Sequence, residues 1–239
     1  MATNNSALIT GASSGIGKAT AIAFAKAGID VALVSRSAEK LEVVAKEIQQ
    51  IGVRVKTYPV DLSQIEQVQA KMRAIAADFG AVDILVNNAG MGYTGNLSET
   101  PLSDWQSVID LNLTSVFQCI LGVLPMMRDR GTGTIINIAS IAGLQPFPSW
   151  GAYSVSKAGL IALSKTLAAE ERANGIRVTA VCPGAVDTDL WETDTVRIKF
   201  ERSAMLTPES VAQSVLFTAL LPKHAAISEL TLMPSAGVL

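Results

Sequence analysis

Ala7-Leu-Ile-Thr-Gly-Ala-Ser-Ser-Gly-Ile-Gly17 is the stretch on which the fold turns. Its first four residues carry no charge and read as a buried strand. Three glycines within the next seven read as a tight turn. The run 16–27 then reads as a helix, with Gly28 placed to end it. Outward from this unit the same alternation repeats. Strands are expected at 30–35, 53–58, 82–86, 134–138, 176–181 and 229–233. Helices are expected at 38–50, 64–79, 103–130, 151–174 and 208–220. Alternating strands and helices imply an α/β chain built on a parallel sheet with helices on both faces. The near-continuous apolar strands agree, because such a sheet is buried on both sides. No linker or repeat divides the 239 residues, so the expectation is a single domain with a doubly wound sheet of about seven strands.

Composition narrows the function classes. Apolar residues make up 49% and charged residues 17%, enough to fill a large core and too apolar for disorder. A net charge of −2 offers no electrostatic footprint for nucleic acid. The apolar stretch 111–127 contains Asn112, Gln118 and Pro125 and reads as a buried or interface helix rather than a membrane span. The first six residues lack the layout of a secretory signal, and Cys119 and Cys182 sit in apolar surroundings without a disulfide pattern, so a cytoplasmic protein is expected. The single histidine, His224, follows Pro-Lys, and no metal constellation is visible.

The glycine turn points to a dinucleotide. Gly11 suits a tight turn, Gly15 lets backbone approach a pyrophosphate, and Gly17 lets helix pack on strand. With Ser13, Ser14 and Ile16 they open a helix whose N-terminus presents free N–H groups and a positive dipole end. The spacing G-x-x-x-G-x-G differs from the more common G-x-G-x-x-G. The second strand ends at Ser35-Arg36, where an acidic residue would hold the ribose hydroxyls of NAD. No acid stands there, and Arg36 can pair with a 2′-phosphate, so NADP(H) is expected on a Rossmann-like fold.

Tyr153 and Lys157 lie four apart, with no Pro or Gly between them, so a helix puts both on one face. A phenol of ordinary pKa about 10 exchanges protons poorly at neutral pH, and a nearby cation is expected to lower it. The pair suggests general acid–base chemistry.

Together, Thr10-Gly-Ala-Ser-Ser-Gly-Ile-Gly17, Asp61, Asn87-Asn-Ala-Gly90, Asn112, Ser140, Tyr153-x-x-x-Lys157 and Pro183-Gly184 resemble the short-chain dehydrogenase/reductase family, over roughly 7–188. The resemblance implies that Tyr153 is the general acid in ketone reduction and the base in alcohol oxidation. It implies that Lys157 holds the nicotinamide ribose and biases Tyr153 towards phenolate, that Ser140 binds the substrate oxygen, and that Asn112 positions a water in the proton relay. It places Asn88, Ala89 and Gly90 on the adenosine and ribose side. Asp61 would meet the adenine, with Leu62 beside it, and Pro183, Gly184, Val186 and Thr188 would fix the nicotinamide. It also implies a homotetramer.

Substrate expectations rest on the loops. The segment 185–207 is long and irregular, as a lid or binding loop would be. The stretch 141–150, with Tyr93, Trp191, Phe200, Met205 and Leu206, could wall an apolar pocket for a small hydrophobic ketone or alcohol. One alternative is a 3-oxoacyl-thioester reductase, with Arg128 and Arg130 meeting an acidic carrier protein; the C-terminus lacks the Asp-Gly-Gly ending common in such reductases. Another is a non-catalytic NADP-sensing regulator.

Overall fold

The computed structural model describes residues 5–198 and 201–237. Seven strands form one parallel sheet: β1 (Ser6–Thr10), β2 (Asp30–Ser35), β3 (Val55–Pro59), β4 (Ile84–Asn87), β5 (Gly133–Ile138), β6 (Ile176–Pro183) and β7 (Glu229–Leu232). Their order is β3-β2-β1-β4-β5-β6-β7, and every neighbouring pair is parallel. Between them run α1 (Gly15–Lys26), α2 (Ala38–Gln49), α3 (Ile65–Phe79), α4 (Leu102–Ile109), α5 (Ser115–Arg130), α6 (Gly151–Glu170) and α7 (Pro208–Ala219).

Side chains alternate across a strand, so each face of the sheet builds its own core. Leu8 of β1 joins the core covered by α3, α5 and α6, and includes Met72, Ile120 and Leu160. Ala7 and Ile9 point the other way, to Phe24 of α1, Leu41 of α2 and Val215 of α7. Helix starts follow local chemistry. Ser37 caps α2 through its side chain, and Thr207 caps α7 ahead of Pro208. Ser14 begins α1 without any side-chain cap bond, which leaves the first N–H groups of that helix to other partners.

Three expected boundaries move for physical reasons. Strand β3 begins at Val55, because the Arg54 N–H is taken by the Asp30 carboxylate at 2.9 Å. Helix α6 stops at Glu170 rather than 174. Beyond it Arg172–Asn174 tightens into a 3₁₀ turn, and Gly175 turns the chain at φ 69°. The helix expected over 103–130 is broken by one wider turn, Asp110–Thr114, in which the Ser115 N–H reaches back to Asp110. Leu102–Arg130 as a whole is long and apolar enough to cross a membrane by length and composition. Here its α5 portion lies against α3 and buries Val116, Ile120, Val123 and Met127 in the core.

Candidate active site

All seven strands point the same way, so their C-terminal ends line one edge of the sheet. The strand order reverses between β1 and β4, and a crevice opens where connections leave in opposite directions. A cavity of about 860 Å³ occupies this edge. At one end it is lined by Gly11, Ser13, Ser14, Gly15, Ile16, Ser35, Arg36, Asp61 and Leu62. Across the middle come Asn88, Ala89, Gly90, Ser140, Tyr153 and Lys157, followed by Pro183, Gly184, Val186 and Thr188.

Two residues expected to catalyse or to bind cofactor fall outside that lining. Gly17 holds the turn together from behind: a Cβ there would sit 2.2 Å from the Gly11 carbonyl oxygen, so it packs the turn and lies off the lining. Asn112 stands behind Gly90. Its Oδ1 accepts from the Met91 N–H at 2.8 Å, and its Nδ2 donates to the Met91 carbonyl at 2.9 Å and to Ser156 Oγ at 3.1 Å. Both amide hydrogens are therefore committed within the protein.

The glycine-turn end fits a dinucleotide. Gly11 and Gly15 adopt φ of 64° and 52°, a region that side chains disfavour. Thr10 ties the turn to the end of β4, its hydroxyl accepting from the N–H groups of Asn88 and Ala89 at 2.9 and 3.1 Å. The Ser35 hydroxyl is buried with no hydrogen-bond partner among the described residues, a group that a ligand hydroxyl or phosphate would satisfy. Arg36 and Lys40 lie exposed on the same lining. Asp61 caps no helix; its Oδ1 accepts from the Ser63 N–H and hydroxyl, and that bonding holds the carboxyl below its usual range, with Arg36 adding to the effect.

At the centre, Ser140 leaves β5 and Tyr153 arrives on the first turn of α6. Both side chains line the cavity, and the Ser140 hydroxyl lies near enough to the phenol to influence its acidity. Ser140 Oγ also accepts from the Ala142 N–H at 3.1 Å, which fixes its rotamer. Close approach of the two segments depends on Gly143, where a Cβ would lie 2.7 Å from the Lys157 carbonyl carbon. Ser156 adds a further brace, donating to the Tyr153 carbonyl at 2.7 Å while accepting from Asn112. Thr10, Gly143 and Ser156 were not anticipated as site residues. The small-residue run directly after Ser140 was the available signal for Gly143.

The electrostatics correct one expectation. Burial pushes the Tyr153 phenol above its usual range, and the nearby Ser140 hydroxyl only partly offsets this. Lys157 makes no hydrogen bond to the phenol. Its ammonium donates to the Ile138 carbonyl at 2.8 Å and lies 5.7 Å from the Tyr153 ring centre. Its own pKa is pushed down to about 8 by burial.

The far end of the cavity is apolar, though not with every residue foreseen. Ile141, Phe147, Pro148, Trp150 and Trp191 line it, joined by Met91, Leu190 and Ile198. Tyr93 instead packs with Val108 and Ala152 and bonds Asp104 at 3.1 Å, because the loop turns its ring inward. Leu206 packs on the core beside α1 and α7, Met205 lies off the lining, and Phe200 falls outside the described residues. The segment 185–207 is closed at its ends and tied at its middle: the Asp187 N–H donates to the Leu206 carbonyl at 2.8 Å, the Leu206 N–H to the Ala185 carbonyl at 2.9 Å, and the Thr94 N–H to the Thr195 carbonyl at 2.8 Å. Arg202 is ion-paired with Asp187 and Glu192. Arg128 and Arg130, considered for a carrier protein, are bound to Glu171 and Asp83.

A Rossmann-type sheet whose switch point brings a glycine turn, a serine, a tyrosine and a lysine onto one cavity defines a nucleotide-dependent oxidoreductase class. The sequence profile described as short chain dehydrogenase matches residues 5–197, and the chain belongs to the short-chain dehydrogenase/reductase family. An alcohol dehydrogenase from the archaeon Thermococcus sibiricus, solved with 5-hydroxy-NADP, superposes with a TM-score of 0.89 at 32% identity, covering 98% of each chain. A variant of the actinorhodin polyketide ketoreductase, solved with NADPH, gives 0.88 at 33% identity, covering 99% of each. A glycine betaine reductase of Emericella nidulans is 37% identical over 234 residues, which span 95% of this chain and only 18% of that relative.

Proposed function

We propose that this chain reduces ketones or aldehydes with NADPH, and oxidises secondary alcohols in reverse. The observation that carries the reading is the meeting of Ser140, Tyr153 and Lys157 on one cavity that continues to the glycine turn. When bound, the dinucleotide supplies hydride to the carbonyl carbon. The free N–H groups at the start of α1 would hold its pyrophosphate, and Arg36, with Ser35, its 2′-phosphate. The 5-hydroxy-NADP and the NADPH with which the two relatives were solved support that choice.

The chain's own groups then divide the work. Ser140 donates to the substrate oxygen and steadies negative charge as it develops. Tyr153 delivers the proton to that oxygen. Its raised pKa keeps the phenol protonated at neutral pH, which suits the reducing direction. Lys157 lies close enough to Gly90 to hold ribose hydroxyls, and Asn112 fixes the backbone at Met91 behind that wall. The segment 185–207 serves as the substrate loop, and the apolar end of the cavity favours small hydrophobic carbonyl compounds.

A 3-oxoacyl-thioester substrate draws support from the polyketide ketoreductase likeness, yet Arg128 and Arg130 are engaged within the chain. We further propose a homotetramer and a cytoplasmic location; the buried free thiols Cys119 and Cys182 suit a reducing compartment. The test is a carbonyl panel, including an aryl ketone and an acetoacetyl thioester, followed by NADPH absorbance. Tyr153→Phe is expected to lose at least about a hundredfold in turnover while still binding NADPH. Undiminished turnover in that variant, or no turnover of any carbonyl by the wild type, would overturn the reading; the latter would leave the NADP-sensing alternative.

A further inference from the structure

The substrate end of the cavity has two features that an apolar pocket does not need. The first is an aromatic corner. Trp150 stands edge-to-face against Tyr153, with ring centres 5.3 Å apart and planes at 64°. Trp191 meets Trp150 at 5.9 Å and 75°, and its indole N–H is anchored on the Val186 carbonyl at 2.7 Å. All three residues line the cavity. Near-perpendicular rings beside the proton donor leave no parallel slot for a flat ring. They present electron-rich faces around one corner, the arrangement that attracts a rounded cation.

The second feature is charge. Six charged side chains line the cavity. Arg36, Lys40 and Asp61 belong to the glycine-turn end, and Lys157 is turned onto the Ile138 carbonyl. Asp189 and Asp194, on either side of Trp191 in sequence, are the charged side chains that the described residues of the substrate loop add to the lining. Neither carboxylate has an ion pair or side-chain hydrogen bond among the described residues. Of the loop's described cations, Arg202 is paired with Asp187 and Glu192, and neither it nor Arg197 lines the cavity. An anionic substrate would meet two carboxylates and, among the described residues of the loop, no cation on that lining. A cationic one would meet aromatic faces with negative charge at the rim.

We infer that the preferred substrates are carbonyl compounds bearing a quaternary or alkylated ammonium group close to the carbonyl, seated against Trp150 and Trp191 with the oxygen at Ser140 and Tyr153. The inference rests on the carbonyl-reductase reading and specifies its substrate class. The test uses the NADPH-loaded enzyme and two ketones of matched size: acetonyltrimethylammonium and its neutral carbon analogue, methyl neopentyl ketone. The wild type should favour the cation by at least about tenfold in kcat/KM. That ratio should fall severalfold in Trp191→Leu and in Asp194→Asn. Because an ammonium group also activates the carbonyl electronically, a second measurement removes chemistry: tetramethylammonium chloride should compete with the neutral ketone, whereas sodium chloride at equal ionic strength should not. Equal or better use of the neutral ketone, an unchanged ratio in both variants, or no competition by tetramethylammonium beyond the salt control would each overturn the inference while leaving the carbonyl-reductase reading intact. Failure to oxidise NADPH with any carbonyl would overturn the reading beneath it.

Discussion

Lys157 shows how the site trades stability for chemistry. It is 5% exposed, and burial lowers its pKa from 10.5 to about 8. A base whose folded pKa is depressed is charged at a cost. That cost is fully present below pH 8, and it disappears as pH rises towards 10.5, because the unfolded chain then binds more protons than the folded one. Wild type should therefore gain about 2–3 kcal/mol relative to Lys157→Met between pH 7 and pH 10. Urea unfolding of both proteins at the two pH values measures this, and any loss of the Ile138 hydrogen bond cancels in the comparison. A constant difference would mean that Lys157 is not held in a desolvated place. The same burial accounts for Tyr153: a lowered phenol pKa was expected from sequence spacing alone, but spacing cannot report that the ammonium points to a strand carbonyl instead.

At the scale of elements, the catalytic geometry is set where α6 crosses the turn after β5. A Cβ on Gly143 would meet backbone of α6, which cannot move aside as a flexible side chain could. Gly143→Ala should push the helix carrying Tyr153 away from Ser140, cost about 1–3 kcal/mol by overpacking, and lower kcat by about tenfold or more while NADPH still binds. Single-turnover kinetics with a cofactor-binding titration would separate the two effects, and an unchanged kcat would show that the contact is not positional. The sequence carried the alternation, the glycine turn and the strand ends, because a buried parallel sheet imposes apolar runs and turn residues that can be counted. It did not carry the wide turn at Asp110–Thr114. That turn depends on Asn112 bonding both backbone groups of Met91 and reaching Ser156, which are tertiary contacts without local periodicity. Nor could it separate Tyr93, turned into the core, from Trp150, turned into the cavity.

At the scale of the molecule, the two faces of the sheet end in different surfaces, and this bears on assembly. Phe117 of α5 and Val155 of α6 are 42% and 46% exposed on one helical layer. Phe217 and Leu220, in and just after α7, are 61% and 50% exposed on the other, beside a shallow groove that includes Leu216, Leu221 and Pro222. Exposed aromatic residues within helices that already bury an apolar face point to association. A tetramer with three perpendicular two-fold axes needs at least two different self-complementary interfaces, and these patches lie on opposite sides of the sheet. Sedimentation of the wild type should give four times the 25.1 kDa protomer mass. Phe117→Asp and Phe217→Asp should each remove one interface and leave dimers, and the double variant should sediment as a monomer. Each patch would then be assigned by the variant that splits it. A wild type that sediments as a monomer, or a tetramer indifferent to both charges, would refute the proposed assembly without touching the site, because neither phenylalanine lines the cavity.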